Sequence, residues 1–205
     1  MVYIDEVFAR LEREKEQAMQ KAEEMTNNTY DQMEELSEEE KETIAQGIKK
    51  GALNIAVFDM EFERRDFFEN RFSMVFPKNY FEQMTNEGGY IVECNMRHTI
   101  HSIFSFAKGT NIQLTVTNLK KEMKENLAKR KIHTIWIEDG LKRIAQNKAA
   151  YCLFITKAQK DVFFQYMIFM EVRDGFLTWN LNGDIKWVKI WEEIIKNMLQ
   201  TVTLE

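Results

Sequence analysis

Apolar and polar side chains alternate through the last third of the chain, a pattern that predicts an antiparallel meander closed by a helix. Three strand-like runs, at residues 149–156, 162–171 and 176–181, are joined by short polar turns. An amphipathic helix is then predicted over residues 187–199. Short turns favour antiparallel neighbours, because a parallel pair would need a long crossover. The predicted fold class is α+β, an antiparallel β-sheet flanked by helices.

The middle of the chain continues this alternation and contains one further helix. Strands are predicted at residues 53–62, 71–76, 90–94, 99–106, 111–116 and 132–137. Pro77 is expected to end the second of these strands, because its ring fixes φ and removes a hydrogen-bond donor. A short helix or turn is expected at residues 78–84. Leu119, Met123 and Leu127 mark the apolar face of the further helix, which basic residues surround.

The N-terminal segment predicts two helices that form an acidic helical arm. The first helix carries a heptad-like apolar stripe, which weakens after Leu11 and does not establish a coiled coil. The second begins at Ser37, whose hydroxyl can cap the helix while Glu40 reaches back to the Ser37 backbone. The chain is therefore divided into an acidic helical arm, residues 1–52, and an α+β domain, residues 53–205.

Charge is distributed unevenly between these two parts. Residues 1–43 contain 14 Asp or Glu and 5 Lys or Arg, whereas residues 44–205 contain 19 and 23. Such asymmetry indicates an acidic arm that folds back on its own body or is offered to a basic partner. Nucleic acid is disfavoured as a partner, because a phosphate-binding surface needs concentrated positive charge.

Composition bounds the class and the expected location of the protein. With 205 residues, 44% of them hydrophobic, the chain is long enough to bury a sizeable core. No apolar run is long enough to span a membrane, and the N-terminus lacks the features of a signal peptide. Cys94 and Cys152 both fall in strand-like segments, where reduced cysteines behave as small apolar residues. We therefore expect a cytoplasmic protein without a disulfide framework.

The order of elements resembles the Mog/PsbP-like α/β sandwich superfamily. Residues 72–80, a strand with Pro77 before an amphipathic turn, are similar to the opening of that domain. The helix at Leu119, the later strands and the helix from Trp187 follow the same order, so the resemblance spans about residues 53–204. The acidic arm departs from the minimal domain, and no functional residue is carried over from any member.

This resemblance implies a central antiparallel sheet flanked by helices. The superfamily includes a Ran-binding nuclear import factor, photosystem extrinsic subunits and type VI secretion effector chaperones. Most members bind other proteins, so the resemblance implies binding rather than catalysis. Fold analogy alone does not establish that function.

Aromatic residues and methionines form the candidate ligand or partner groove. Trp187 and Trp191 share a broad apolar face of the closing helix, and Trp179 precedes the same turn. Met167 and Met170 add flexible apolar side chains, although strand geometry places them on opposite faces. The alternative is that all five are packed in the core.

The basic residues around the predicted middle helix are a second candidate surface. They are Lys120, Lys121, Lys124, Lys129, Arg130 and Lys131, with Lys142 and Arg143 later in the chain. These cations are typical of a solvated helix. The alternatives are a contact with the acidic arm, within one chain or in a homodimer, and a site for nucleic acid or anionic lipid.

Candidate chemistry is sparse. Cys94, His98 and His101 are close in sequence, as zinc ligands often are, but a continuous strand would place the two histidines on opposite faces. No phosphate-binding glycine motif and no local Cys–His signature occurs. We therefore expect no catalytic residue, no metal and no cofactor.

The sequence favours a bacterial, cytoplasmic, non-enzymatic protein-interaction domain, such as an adaptor, a chaperone for a secreted protein or an immunity-type protein. The expected partner is another protein rather than a nucleic acid or a membrane. Two alternatives stay open: a small-ligand or metal-binding enzyme, and a structural homo-oligomer, such as a dimer, assembled through the N-terminal helices.

Overall fold

A computed structural model describes residues 13, 30–109, 116–130, 132–158, 161–172 and 174–204. The chain divides into two compact units, Met1–Glu34 and Glu35–Glu205. The second unit contains all the elements discussed below. The first helix predicted for the acidic arm falls almost entirely outside the described residues.

Eleven strands and three α-helices are found among the described residues of the second unit. The strands are β1 (Ala52–Ile55), β2 (Phe58–Phe67), β3 (Phe72–Lys78), β4 (Glu82–Glu87), β5 (Tyr90–Asn95), β6 (Ile100–Lys108), β7 (His133–Ile144), β8 (Asn147–Ala158), β9 (Asp161–Val172), β10 (Gly175–Asp184) and β11 (Thr203–Leu204). The helices are α1 (Glu38–Lys50), α2 (Val116–Lys129) and α3 (Val188–Leu199), the last preceded by a 3₁₀ turn at Ile185–Trp187. None of the helices in the described segments is both long and apolar enough to cross a bilayer.

The strands form two antiparallel sheets. The small sheet has the order β1-β2-β3-β11, and the large sheet has the order β4-β5-β6-β10-β9-β8-β7. The meander predicted for the last third is confirmed, since β8, β9 and β10 are neighbours in sequence order. Met170, near the C-terminal end of β9, lies opposite Ala149 on one side and Leu177 on the other.

Aromatic rings from both sheets meet in the core. Phe104 of β6 lies 4.5 Å from Phe67 of β2 and stacks on Trp179 of β10 at 5.2 Å, measured between ring centroids. Helix α3 adds an apolar face on which Trp191 and Ile194 are fully buried. Burial of each such side chain contributes about 1.5–3 kcal/mol, so this core dominates the stability of the unit.

Helix α1 begins with the predicted capping box. The Glu40 backbone N–H donates to Ser37 Oγ at 3.2 Å, and the Ser37 N–H donates to the Glu40 carboxylate at 2.8 Å. Gly51 ends the helix with φ of 86°, a left-handed conformation that glycine adopts without strain. The helix packs on β1 and α3 within the second unit, while the domain boundary placed at residue 52 stays a prediction.

Two strand predictions were wrong. Residues 53–62 form the hairpin of β1 and β2 rather than one strand, because the chain turns at Ala56 with φ of 51°. Pro77 lies inside β3, opposite Phe62 of β2, instead of ending the strand. It is tolerated there because β11 pairs with Phe72 and Ser73, so that no described strand pairs with β3 on that side of Pro77.

The structure differs from the prediction before β4, and it describes little of the strand predicted before α2. The helix or turn expected at residues 78–84 is a bend followed by strand β4, whose side chains are all exposed. Its polar sequence gives no alternating apolar signal, and pairing with β5 decides its conformation. The strand expected at residues 111–116 falls outside the described residues except for Val116, where α2 begins.

Candidate partner groove

Helix α2 lies over the outer face of the large sheet. Met123 and Leu127, one turn apart on the helix, pack against a buried cluster on that sheet. The cluster consists of Ala150, Cys152, Phe154, Phe169 and Phe176. A cavity of about 600 Å³ opens between the C-terminal half of the helix and the sheet. We call this cavity, together with its lining residues, the partner groove.

An ion pair with aromatic support fixes the helix on the sheet. Lys120 Nζ donates to Asp139 Oδ2 at 2.5 Å, and Trp136 Nε1 donates to the same oxygen at 2.6 Å. The hydrogen bond from Lys120, followed by that from Trp136, lowers the pKa of the Asp139 carboxyl, so Asp139 stays ionised. Lys120 also lies over the Trp136 ring, 5.2 Å from its centroid.

A β-bulge makes this arrangement possible. Trp136 and Asp139 are three positions apart, so a regular strand would place them on opposite faces. The register of β7 against β8 shifts between Trp136 and Glu138, which leaves one extra residue on β7. Trp136 then lies opposite Phe154 and Asp139 opposite Cys152, so both face α2.

The floor of the groove is apolar. Met123 and Leu127 come from the helix, and Phe154 and Met167 come from β8 and β9. Phe154 is 2% exposed and stacks on Trp136 with ring centroids 5.1 Å apart, so this part of the floor is rigid. The two methionines are only partly buried, and their flexible thioethers suit an adaptable contact surface.

A row of polar side chains crosses the sheet beside this floor. Gln165 of β9 donates to Thr156 Oγ1 of β8 at 3.4 Å, and Asn180 of β10 donates to Gln165 Oε1 at 3.2 Å. The Asn180 Oδ1 atom is buried and has no hydrogen-bond partner among the described residues. A buried carbonyl oxygen without a donor costs free energy, and a rotation of the Asn180 side chain toward the groove would let a ligand donate to it.

The rim of the groove is positively charged. Arg130 lies just after α2, and Lys157 lies near the end of β8. Among the described residues that line the groove, none is acidic. The groove therefore combines an apolar floor, an amide oxygen that lacks a hydrogen-bond donor, and cationic ends. This combination favours an anionic ligand with an apolar part.

The five side chains proposed from sequence as a groove lie in different places. Met167 lines the partner groove, whereas Met170 is 1% exposed on the opposite face of β9, in the central core. Trp179 is also buried there and donates to Ser102 Oγ at 3.0 Å. Trp187 and Trp191 meet around Phe58, with ring centroids 5.0 and 5.8 Å from it.

Trp187 is the more exposed of the two helix-associated tryptophans. It is partly buried, and the Lys186 ammonium lies 5.0 Å from its ring centroid. Trp191 is fully buried, and its Nε1 has no hydrogen-bond partner among the described residues. A partner contact at these tryptophans stays a prediction.

Among the described side chains, the cysteines and histidines do not gather into a metal-binding group. Cys94 lies opposite His101 in the β5–β6 pair, while His98 is in the connecting turn, where its Nδ1 lies 2.9 Å from the Tyr80 hydroxyl. Within the described segments, no three His, Cys, Asp or Glu side chains are arranged to hold a metal ion. Burial raises the pKa of the Cys152 thiol to about 12, which keeps it protonated and a poor nucleophile.

The sequence predictions overlap only in part with the residues that line this cavity. They singled out Met167 and the basic residues around α2, among them Arg130, but not the polar row of Thr156, Gln165 and Asn180. The available signal was the interruption of two apolar strands by Gln165 and Asn180, since a polar side chain on a buried strand face needs a partner.

Comparisons with known proteins identify the fold. No protein-family model matches the chain, and no curated protein matches it in sequence. Its structure is similar to the solution structure of PsbP from the cyanobacterium Synechocystis, with a TM-score of 0.57 and 10% identity over 74% of this chain and 97% of that chain. The chain therefore has a PsbP-like fold, as its resemblance to this superfamily predicted. The predicted resemblance to the Mog proteins of the same superfamily stays a prediction.

Two other solved structures are less similar. A Pseudomonas aeruginosa protein of unknown function has a TM-score of 0.45 and 13% identity, over 70% of this chain and 97% of that chain. A Bacteroides thetaiotaomicron protein has a TM-score of 0.47 and 14% identity, over 70% of this chain and 48% of that chain.

Proposed function

We propose that this chain is a cytoplasmic, non-enzymatic protein-interaction domain that binds an acidic, partly apolar segment of another protein in the partner groove. The observation that carries the proposal is the buried, unsatisfied Asn180 Oδ1 in a groove with an apolar floor and cationic ends. A peptide supplies all the matching groups: backbone N–H donors, apolar side chains and carboxylates.

The positive charge at the rim of the groove favours a partner with acidic side chains. Arg130 and Lys157 face the groove without a carboxylate among its described lining residues. A partner carboxylate would form charge-assisted hydrogen bonds with these cations, which are stronger than neutral ones. Much of this attraction is exposed to solvent, so we expect it to weaken as salt rises.

The amide row favours a peptide over a simple organic acid. Asn180 and Gln165 present side-chain amides, which match the N–H and C=O groups of a peptide backbone. A small carboxylate would occupy the cationic end and leave the Asn180 oxygen without a donor. The partner segment therefore spans the floor, with its backbone beside Asn180 and its acidic side chains at the rim.

The chemistry of the described groups supports a binding role. Asp139 is held ionised by Lys120 and is therefore a weak base, and the Cys152 thiol stays protonated at neutral pH. Cys94 and Cys152 are free and buried, which suits the reducing environment of the cytoplasm. An adaptor, a chaperone for a secreted protein and an immunity-type protein all fit this role, and assembly through the N-terminal helices remains the competing proposal.

Selection from a library of short peptides tests the proposal. The library is displayed on phage, and binding of the selected peptides is then measured by fluorescence anisotropy at low and high salt. We expect acidic peptides with apolar residues to be selected. Reversing the rim charges with Arg130→Glu and Lys157→Glu is expected to weaken their binding at least about tenfold, which corresponds to about 1.4 kcal/mol.

A matched control makes the same change in net charge elsewhere. Arg143→Glu and Lys148→Glu replace two exposed cations at the far end of the β7–β8 hairpin, where they lie opposite each other. This control is expected to retain binding. Selection of peptides without acidic residues, or an equal loss of binding in the control, would overturn the proposal.

A further inference from the structure

Strand β7 forms one edge of the large sheet. Among the described strands, only β8 pairs with it, so its outer side carries backbone N–H and C=O groups without a strand partner. Such a row of groups can pair with the edge of a second sheet. The strand at the other edge, β4, contains two glutamates and no cation, so it does not match itself in charge. The β7 edge differs from it in this respect.

A regular stretch of β7 lies between two interruptions. The ladder with β8 shifts between Trp136 and Glu138, and the hairpin turn at residues 145–146 has positive φ at both positions. Between them, Glu138–Ile144 pairs with β8 without a shift in register. This stretch has seven residues, and Leu141 is the central one. Two copies of it can therefore pair antiparallel along their whole length only when Leu141 lies opposite itself.

The side chains of this stretch match themselves in that register. Asp139, Leu141 and Arg143 alternate along the strand and share the face of the sheet that carries α2. Lys142 points to the other face, where it donates to the Tyr166 hydroxyl at 3.3 Å. A two-fold axis at Leu141 places Asp139 of each copy opposite Arg143 of the other. Leu141 is 52% exposed, and its counterpart in the second copy would cover it.

The acid and the base of this pattern each have an unmet interaction. Arg143 is exposed and lies opposite another cation, Lys148 of β8, which is an unfavourable cross-strand pair. Asp139 is 24% exposed and accepts from Lys120 and Trp136 through Oδ2, so its Oδ1 accepts no hydrogen bond from a described residue. The Arg143 guanidinium of a second copy can donate to Oδ1, which gives each charge a partner of opposite sign.

We propose that the β7 edge is an interface at which two copies of this chain pair antiparallel about Leu141. One continuous sheet then runs through the dimer, and two Asp139–Arg143 pairs set its register. The interface adjoins the anchor of α2, because Asp139 also binds Lys120. A contact of one strand with one strand is small, so the dimer exchanges with monomer. Dimerisation at this edge does not require a peptide in the partner groove.

Sedimentation velocity of the intact chain over a range of concentrations tests the interface. We expect a monomer–dimer equilibrium. Leu141→Lys places two ammonium groups opposite each other at the axis, and Arg143→Glu twice places a glutamate opposite Asp139. Each change is expected to raise the dimer Kd at least about tenfold. Both side chains are exposed, so we expect the monomer to keep its fold.

Two controls match these changes in charge away from the interface. Met84→Lys replaces an exposed apolar side chain on β4, at the other edge of the sheet. Lys157→Glu reverses an exposed cation near the opposite end of β8 from the 145–146 turn. Both controls are expected to leave the dimer Kd unchanged.

A disulfide tests the register. Directly opposed residues of an antiparallel pair have Cα atoms about 4.5–5.5 Å apart, which a disulfide can bridge. Leu141→Cys is therefore expected to form a covalent dimer under mild oxidation, whereas Met84→Cys is not. The native Cys94 and Cys152 are buried, so they do not compete for this reaction.

Three results would overturn the proposal. The first is an intact chain that stays monomeric at every soluble concentration. The second is a dimer that Leu141→Lys and Arg143→Glu leave as stable as before, as expected for assembly through the N-terminal helices. The third is equal crosslinking of the Leu141→Cys and Met84→Cys variants. Peptide binding in the partner groove is measured separately, so its outcome is distinguishable from each of these.

Discussion

At the scale of single residues, Glu93 brings a carboxylate into the region where the two sheets meet. Glu93 of β5 is 3% exposed and forms a 2.7 Å salt bridge with Arg65 of β2. The Arg65 guanidinium also lies over the Phe67 ring, 4.8 Å from its centroid. The second carboxylate oxygen of Glu93 has no hydrogen-bond partner among the described residues. Removing Arg65 would leave the buried Glu93 carboxylate uncompensated, and removing the Glu93 charge would leave the partly buried Arg65 guanidinium without its carboxylate partner.

We therefore expect Glu93→Gln to destabilise the protein by about 3 kcal/mol, because it leaves the Arg65 cation unpaired between the sheets. Urea unfolding at neutral pH measures this change. The control is Glu63→Gln, which removes an exposed 3.5 Å pair with Lys78 and is expected to cost less than about 1 kcal/mol. Equal stability of the two variants would show that the Arg65–Glu93 pair does not help to hold the sheets together.

At the scale of elements, the capping box of α1 is the clearest link between local sequence and structure. Ser37 and Glu40 satisfy each other's backbone N–H groups at the first turn. Three glutamates in that turn also interact favourably with the positive end of the helix dipole. The helix packs against β1 and α3, so its stability is coupled to that of the core.

Ser37→Ala is expected to destabilise the unit by about 1 kcal/mol, because the first turn of α1 loses its side-chain acceptor. The free energy of unfolding in urea and the hydrogen exchange of α1 amides measure the effect. Ser37→Asp retains an acceptor and is expected to restore most of the stability. A wild-type exchange rate in Ser37→Ala would contradict a capping role for Ser37.

The elements that were predicted correctly are marked in the sequence by residues at their own ends, such as helix caps and short polar segments. Ser37 and Gly51 bracket α1, and short polar segments of sequence separate β8, β9 and β10. The missed elements lack such signals. The turn at Ala56 contains neither Gly nor Asn, and β4 is a strand only because β5 pairs with it. Sequence also could not show that Pro77 lies beyond the described pairing of β3 with β11, since this depends on where the distant β11 ends.

At the scale of the whole molecule, the PsbP-like fold presents two chemically different faces of the large sheet. The face under α2 holds the partner groove, with its apolar floor and cationic rim. The opposite face holds the core and, at its edge, the Lys142 amine. Sequence predicted the basic residues and Met167, but the groove joins side chains from three strands and a helix. Only the register of β8, β9 and β10 brings Thr156, Gln165 and Asn180 into one row.

The most direct test of the partner groove uses methionine methyl NMR on ¹³C-labelled protein, titrated with the tightest acidic peptide from the display library. Met123 and Met167 line the groove, whereas Met60 and Met74 are buried in the core and serve as internal controls. We expect saturable shifts of the Met123 and Met167 signals while the Met60 and Met74 signals stay in place. A bound peptide that leaves both groove methionines unshifted would contradict binding in the partner groove.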